Sequence, residues 1–383
     1  MTKKVRKKSN TIRYFDYNLV AIIVFLMCFG LVMLYSSSSY EGMTEMGDAM
    51  YFFKRQAFFS IISFFWMLFI SKIDYHYYAK LSTFAYVGAM FMMALVYFTP
   101  LGVTRNASRR WLKFPVIGMI QPSEIMKIAL VIFIPYLICK LGNKIHKWEG
   151  TRVVFAWGLA AFFGVFVWTD NLSTAIIVFG MVIIMLFVVH KQTKIFIGIA
   201  GAGLSAFVVM AVVLGMTLEN SDNFRLRRLI AWLHPEKYAS DLSYQTVQSL
   251  YAIGSGGFFG KGLGNSAQKM YIPEVQNDMI LAVICEELGV FGAMMILVLF
   301  GLLLYRLLFI AQNAPDKYGS LIVTGVFAHI ALQVILNVAV VTNLIPNTGI
   351  TLPFISYGGS SIAFLLTELG IVLGVSNRIK LET

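Results

Sequence analysis

Apolar runs of about twenty residues recur from one end of this chain to the other, and a run of that length crosses a bilayer as a helix. They fall at Tyr17–Tyr35, Ala57–Ser71, Leu81–Phe98, Pro122–Leu141, Val153–Trp168, Thr174–Val189, Ile195–Leu218, Met279–Leu308, Leu321–Leu344 and Phe354–Val375. The second, fifth and sixth are short, so their ends are the least defined. The pattern predicts an all-α, polytopic integral membrane protein of about ten transmembrane helices. Of the 383 residues 58% are hydrophobic and only 13% charged, which leaves no room for a large soluble domain. The first run is long for a signal-peptide core and no A-x-A site follows it, so it is expected to stay as a span.

The organisation that follows has three parts. Residues 1–16 form a basic cytoplasmic tail. Residues 17–377 form one membrane domain, in which residues 219–277 make a large extracellular loop between spans seven and eight. Residues 378–383 form a cytoplasmic tail. Lys72, Lys80, Lys140, Lys144, Arg152, Lys191 and Lys317 all fall on the side of the N-terminal lysines. That excess places both termini in the cytoplasm. The net charge of +12 therefore reports topology, and nucleic acid is not an expected partner. The basic tail is expected to meet anionic lipid. Cys28, Cys139 and Cys285 all sit in apolar runs, with neither metal nor disulfide spacing.

The most informative stretch is Gly254 to Gly289, where the longest polar loop meets an apolar run. Asp278 stands at the junction. A carboxylate there is either a helix-terminal acid stabilised by the helix dipole or a general base at the interface. Glu286 and Glu287 follow two turns later, about 12 Å deeper. Two adjacent glutamates in a span need partners or protons; the ordinary reading is a structural pair bonded to another helix. Gln121, Pro122 and Ser123 read as a helix start. Glu124 and Lys127, three apart, can pair, but a lysine one turn inside the membrane suggests a ligand. Arg109 and Arg110, beside Trp111, suit a pyrophosphate at headgroup level or anionic lipid in general. The glycines from Gly254 to Gly264 lack the strand and the GK[ST] of a phosphate loop and read as close-packing turns. The loop Asn343–Ser361 is too rich in Pro and Gly for regular helix. Two short amphipathic helices are expected in the large loop, at Phe224–Leu233 and Tyr244–Ile253.

Together the blocks YSSSS, RRW with QPSEIMKIA, QSLYAIGSGGFFGKGLGNS, IPEVQNDMILAVICEELG and IPNTGITLPFISYGGSS resemble the SEDS family (shape, elongation, division and sporulation) of FtsW, RodA and SpoVE. They lie closer to FtsW and SpoVE than to RodA. The resemblance implies a peptidoglycan glycosyltransferase that polymerises lipid II outside the cytoplasmic membrane during cell division. It implies a class B penicillin-binding protein, a transpeptidase, and other divisome proteins as partners. The family's essential aspartate maps onto Asp278. Its basic and acidic positions map onto Arg109, Trp111, Glu124 and Lys127, and the ISYGGSS block adds Ser356 and Tyr357 to the expected substrate-binding set with Arg110, Glu286 and Glu287. The chain departs from the family pattern at DNLSTA, with Asn171 and Ser173, and at QNDM, Gln276 to Met279. These touch details of the site, since Asp278 itself is kept.

The donor is already activated by its undecaprenyl pyrophosphate, so no nucleotide or redox cofactor is expected. A divalent cation, Mg2+ or Mn2+, could neutralise the leaving group beside Arg109, Arg110 and Lys127, and Asp278 could be its ligand instead of the base. Two other classes compete: a lipid II flippase lined by Lys127, Glu286 and Glu287, and a non-catalytic scaffold that recruits the transpeptidase.

Overall fold

The computed structural model describes residues 11–105, 108–114, 118–194, 196–198, 230–240 and 243–382, with isolated positions at 201, 205 and 209. Among these residues nine helices are long and apolar enough to cross a membrane. They are α1 (Tyr17–Met46), α2 (Tyr51–Ile70), α3 (His76–Phe98), α4 (Pro122–Leu141), α5 (Trp148–Phe163), α6 (Leu172–Val189), α8 (Ile280–Asn313), α9 (Lys317–Val341) and α10 (Gly359–Ser376). A short helix, α7 (Tyr244–Gly256), precedes α8. Most of the expected seventh span and most of the amphipathic helix at Phe224–Leu233 lie outside the described residues.

Helix boundaries follow local chemistry. Asp16 caps α1 by accepting the Leu19 amide at 2.9 Å. Asn171 caps α6 through Thr174 at 3.1 Å, and Asp316 caps α9 through Gly319 at 2.8 Å. Each satisfies an amide that the first helical turn leaves without a partner. The peripheral helices are amphipathic in the sense a bilayer demands. On α2, Gln56, Ser60 and Ser63 point inward and are buried, while Phe58, Ile61, Phe65 and Phe69 face out. Small polar residues at helix contacts let helices approach closely and bond across the gap. The most enclosed helices are α9, α10 and α4.

Two small sheets mark the ends of the bundle. Strands β1 (Thr11–Tyr14) and β5 (Ile379–Glu382) pair antiparallel, joining the two termini. Asp16, beside them, pairs with Arg306 near the end of α8 at 2.6 Å. At the opposite end, β2 (Gly102–Arg105), β3 (Ser108–Phe114) and β4 (Gly118–Ile120) form a three-stranded antiparallel sheet. This sheet is an addition to the expected all-helical chain.

Helix α8 differs most from its expectation as one uninterrupted span. Gly289 sits at φ 69° and ψ −171°, so the helix breaks there. A break strands carbonyls on one side and amides on the other. The glycine-rich turn supplies both. Lys261 and Gly262 amides donate to the Glu286 and Glu287 carbonyls, each at 2.9 Å. The Val290 and Phe291 amides donate to Gly257 and Phe258 carbonyls at 3.0 and 3.1 Å. Such close backbone exchange needs glycine: a Cβ on Gly256 would overlap the Cys285 carbonyl, and one on Gly260 the Glu287 carbonyl. From Val290 to Asn313 the helix is about 36 Å long by itself, longer than the hydrocarbon core of a bilayer. The piece Ile280–Leu288 therefore belongs to the Asp278 end and is not the upper part of a deep span.

Candidate functional site

Asp278 ends the loop that leads into α8. The cap position itself falls on Met279, which brings no side-chain acceptor. Asp278 is nine-tenths buried and is held through both its backbone and its side chain. Asn337, on α9, donates to its carbonyl at 2.9 Å. Gln245, on α7, donates to its Oδ1 at 3.2 Å and is itself fixed by Asn347 at 2.9 Å. The loop between α9 and α10 passes alongside. Gly349, at φ 69°, comes so near that a Cβ there would lie 3.8 Å from Asp278 Oδ2. On the other side Gln276 donates to Glu41 of α1 at 2.8 Å, and its carbonyl accepts the Tyr357 amide at 2.8 Å. A carboxylate fixed in this way is preorganised at the mouth of the bundle.

Glu124 and Lys127 form a second part. Their ion pair is 2.8 Å long and Lys127 is buried. Glu124 lines a recess with Gln56, His329, Gln333, Thr351 and Ser356. Ser356 accepts the Leu352 amide at 2.8 Å, and Tyr357 stacks edge-on against Phe52. Both hold the α9–α10 loop in shape. The loop thus has Asp278 against Gly349 and the Glu124 recess against Thr351–Ser356.

The other predicted residues lie elsewhere. Arg109 bonds the Thr99 carbonyl and lines a separate cleft with Tyr97, Thr104, Phe166, Trp168 and Asp170. Arg110 reaches the Asp170 carbonyl at 3.3 Å. With Trp111 they sit on β3, at the same end of the bundle as Asp278 but not in the Glu124 recess. Glu286 and Glu287 are fully buried, yet their partners come from the preceding loop and α1. Glu286 accepts Lys261 at 2.7 Å, the Ser266 hydroxyl, and the Ala267 and Gln268 amides at 3.2 Å. Glu287 accepts the Ser36 hydroxyl at 2.7 Å and lies 3.5 Å from Lys269 Nζ. All of these but the Ser36 bond, which ties α8 to α1, fasten the Gly256–Met270 loop onto α8. The glutamates form a clasp, and Ser36 belongs to α1, which continues through the serine run instead of ending before it.

Gln245, Asn337, His329, Gln333 and Glu368 were not singled out by the sequence reading. Four of them, all but Gln245, are polar residues inside apolar runs, a signal in itself, because such residues are costly unless partnered. Among the described residues no group of three or more His, Cys, Asp or Glu side chains is placed to hold a metal ion.

Comparison with known proteins finds likeness over nearly the whole chain. The family model of FtsW, RodA and SpoVE, described as "Cell cycle protein", matches residues 17–381. The chain belongs to the FtsW/RodA/SpoVE family. It is 39% identical to stage V sporulation protein E of Bacillus subtilis, over 94% of this chain and 96% of that protein. It is 33% identical to the probable peptidoglycan glycosyltransferase FtsW of Geobacter sp. strain M18, covering 96% and 98%. The FtsW of Bacillus subtilis is also 33% identical, over 99% of this chain and 93% of that protein. Among solved structures, RodA of Thermus thermophilus superposes with a TM-score of 0.66 at 24% identity, covering 94% and 96%. A chain solved under the description "Structural coordination of polymerization and crosslinking by a peptidoglycan synthase complex" superposes at 0.74, with 23% identity and 94% and 97% coverage. These likenesses carry the FtsW/RodA fold and a membrane-integral protein.

Proposed function

We propose that this protein is a peptidoglycan glycosyltransferase that polymerises lipid II into glycan strands during cell division, with Asp278 as the general base. The observation that carries the assignment is the mounting of Asp278: buried, tied by backbone to α9 and by side chain to α7, with Gly349 beside its second oxygen. Activity fits the names of the FtsW relatives. The higher identity to the sporulation protein, 39% against 33% for FtsW in the same bacterium, favours a second setting for the same chemistry, the sporulation wall.

The acceptor sugar hydroxyl loses its proton to Asp278 as its oxygen attacks the anomeric carbon of the donor. The bond to pyrophosphate breaks in the same displacement, so the anomeric centre inverts. Negative charge grows on the leaving pyrophosphate. Among the described residues, Lys127 and the β3 arginines are cations at this end of the bundle that suit it. A Mg2+ or Mn2+ ion on the pyrophosphate is compatible with this scheme. The undecaprenyl chain stays in the bilayer against the helices. The lysine and arginine distribution supports cytoplasmic termini and an extracellular site. A class B penicillin-binding protein then receives the strands for crosslinking, as the description of the related synthase complex suggests.

The polar recess from Glu124 to His329 is the one observation that favours a different reading, movement of lipid II across the membrane. Purified protein, with its transpeptidase where needed, separates the two. Long glycan from lipid II in detergent with wild type and none with Asp278→Asn supports the polymerase. Glycan from both removes Asp278 from the chemistry. Glycan from neither makes transport or scaffolding the better account.

A further inference from the structure

Helix α9 carries His329, Gln333 and Asn337 at intervals of four, which places them on one stripe. Each is bonded. Asn337 holds the Asp278 and Ile350 carbonyls at 2.9 and 2.7 Å. Gln333 donates Nε2 to the Thr351 carbonyl at 3.0 Å. His329 meets Gln333 Oε1 through Nε2 at 2.8 Å and Glu368 of α10 through Nδ1 at 2.6 Å. His329 and Glu368 are buried at the middle of their helices. None of the three residues below Asn337 touches Asp278.

Hydrogen-bond logic fixes the chain's direction. A backbone carbonyl only accepts, so the Gln333 atom beside Thr351 is its nitrogen, and Oε1 faces His329. Oε1 also only accepts, so His329 Nε2 carries a proton. One further proton is shared between Nδ1 and the Glu368 carboxylate. The dyad is then neutral as a whole, as either imidazolium with carboxylate or imidazole with carboxylic acid. That is the form a low-dielectric interior tolerates.

We propose that His329 and Gln333 are positioning residues for Asp278: anchored by Glu368, they fix the segment Asn347–Thr351 against the catalytic carboxylate. The segment is gripped at both ends. Thr351 and Ile350 are tied to α9, and Asn347 is tied to the Gln245 that bonds Asp278. Release of Thr351 lets Gly349 drift from Asp278 and changes where the acceptor hydroxyl can sit. Displacements near 1 Å at a reacting centre cost up to about a hundredfold in rate. The inference rests on the polymerase reading for its kinetic part only.

The test compares wild type with His329→Leu, Gln333→Met, Glu368→Leu and Glu368→Gln in lipid II turnover and in amide hydrogen exchange of the intact chain. His329→Leu, Gln333→Met and Glu368→Leu are expected to lower kcat about ten- to a hundredfold with KM within about twofold of wild type. Exchange of residues 347–352 rises in the same three variants while the rest of the bundle stays protected. Glu368→Gln keeps both properties, because its amide nitrogen donates to Nδ1 and leaves Nε2–H in place. Full turnover in His329→Leu and Gln333→Met overturns the proposal. So does loosening spread over the whole bundle, or a KM that rises in step with lost activity. If wild type makes no glycan, the polymerase reading fails by itself. The tie is then decided by exchange alone: local opening at 347–352 sustains it, and unchanged protection overturns it.

Discussion

Asn337 donates one side-chain amide to two backbone carbonyls, that of Asp278 at 2.9 Å and that of Ile350 at 2.7 Å. The bond pair stitches the start of α8 to the loop between α9 and α10. Asn337 is fully buried, so neither carbonyl has water as a substitute. Replacing Asn337 with Leu leaves both without a donor, at a cost of about 1–3 kcal/mol. Asn337→Asp is expected to be worse, since a carboxylate offers no donor to either carbonyl. Thermal melting in detergent and lipid II turnover, measured on the same preparations, check this: both fall, and turnover falls further than stability alone explains.

The clasp at Glu286 and Glu287 predicts the opposite balance. Glu286 accepts bonds from Lys261, Ser266, Ala267 and Gln268, all of them in the loop it fastens. Glu286→Ala strands those donors and is expected to cost about 1–3 kcal/mol, softened because Lys261 can turn back to water. Turnover per folded molecule stays near wild type. A variant with unchanged melting and lost turnover would move Glu286 from the clasp into the chemistry.

The glycines around the α8 break are not interchangeable. A Cβ at Gly256 overlaps the Cys285 carbonyl, and one at Gly289 overlaps Phe258 as well as requiring φ 69°. Gly254, in the same run, has nothing within 4 Å of the added atom. Gly256→Ala and Gly289→Ala are expected to destabilise by about 1–3 kcal/mol or more. Gly254→Ala, inside helix α7, is expected to stabilise by about 0.5–1 kcal/mol. Melting curves of the three variants decide it, and a tolerated Gly256→Ala would rule out the close exchange between the turn and α8.

The nine spans among the described residues were legible because a bilayer leaves few alternatives: twenty apolar residues must hide their backbone bonds in a helix. The position of Asp278 at a helix mouth was legible because a carboxylate there stands out from an apolar background, and the structure sets it buried just before α8. The break at Gly289 was not, since the hydropathy of VICEELGVFGAMMIL runs on without interruption and only backbone geometry shows the glycine leaving the helix. The clasp was hidden for a related reason. Glu286 and Glu287 were expected to bond another helix; Glu287 does so through Ser36 of α1, but the remaining partners come from a turn whose path has no periodicity to read. The RRW block suited a pyrophosphate or anionic lipid in general; hydropathy could not show that strand pairing sets Arg109 against the Thr99 carbonyl and in a cleft apart from the Glu124 recess. The α9 stripe had a signal, polar residues four apart in an apolar run, but its meaning depends on α10 supplying Glu368.

The end of the bundle that carries the termini is expected to respond to pH at both extremes. Asp74 accepts the His76 amide at 2.9 Å, contacts its ring at 2.7 Å and lies 3.4 Å from Arg378. Burial alone would raise its carboxyl, but the His76 bonds and Arg378 outweigh it and hold the group below its ordinary value of 3.8. A carboxylate depressed on folding adds stability that is whole above the unfolded value and is lost as pH falls through the lower, folded one. Wild type should therefore outlast Asp74→Asn by a constant margin above about pH 5, and that margin should shrink below about pH 4. Tyr75 is shifted the other way. Burial and the bond to Asp316 push its hydroxyl above its ordinary 10.0. A raised group adds stability that is whole below the unfolded value and is lost as pH climbs past it. Wild type should lose melting temperature above about pH 10 in a way that Tyr75→Phe does not. Melting scans at both pH extremes, with Asp74→Asn and Tyr75→Phe beside wild type, test both signs. Parallel acid curves for Asp74→Asn and wild type would show that Asp74 contributes nothing to the clamp between α3, α9 and the C-terminal strand.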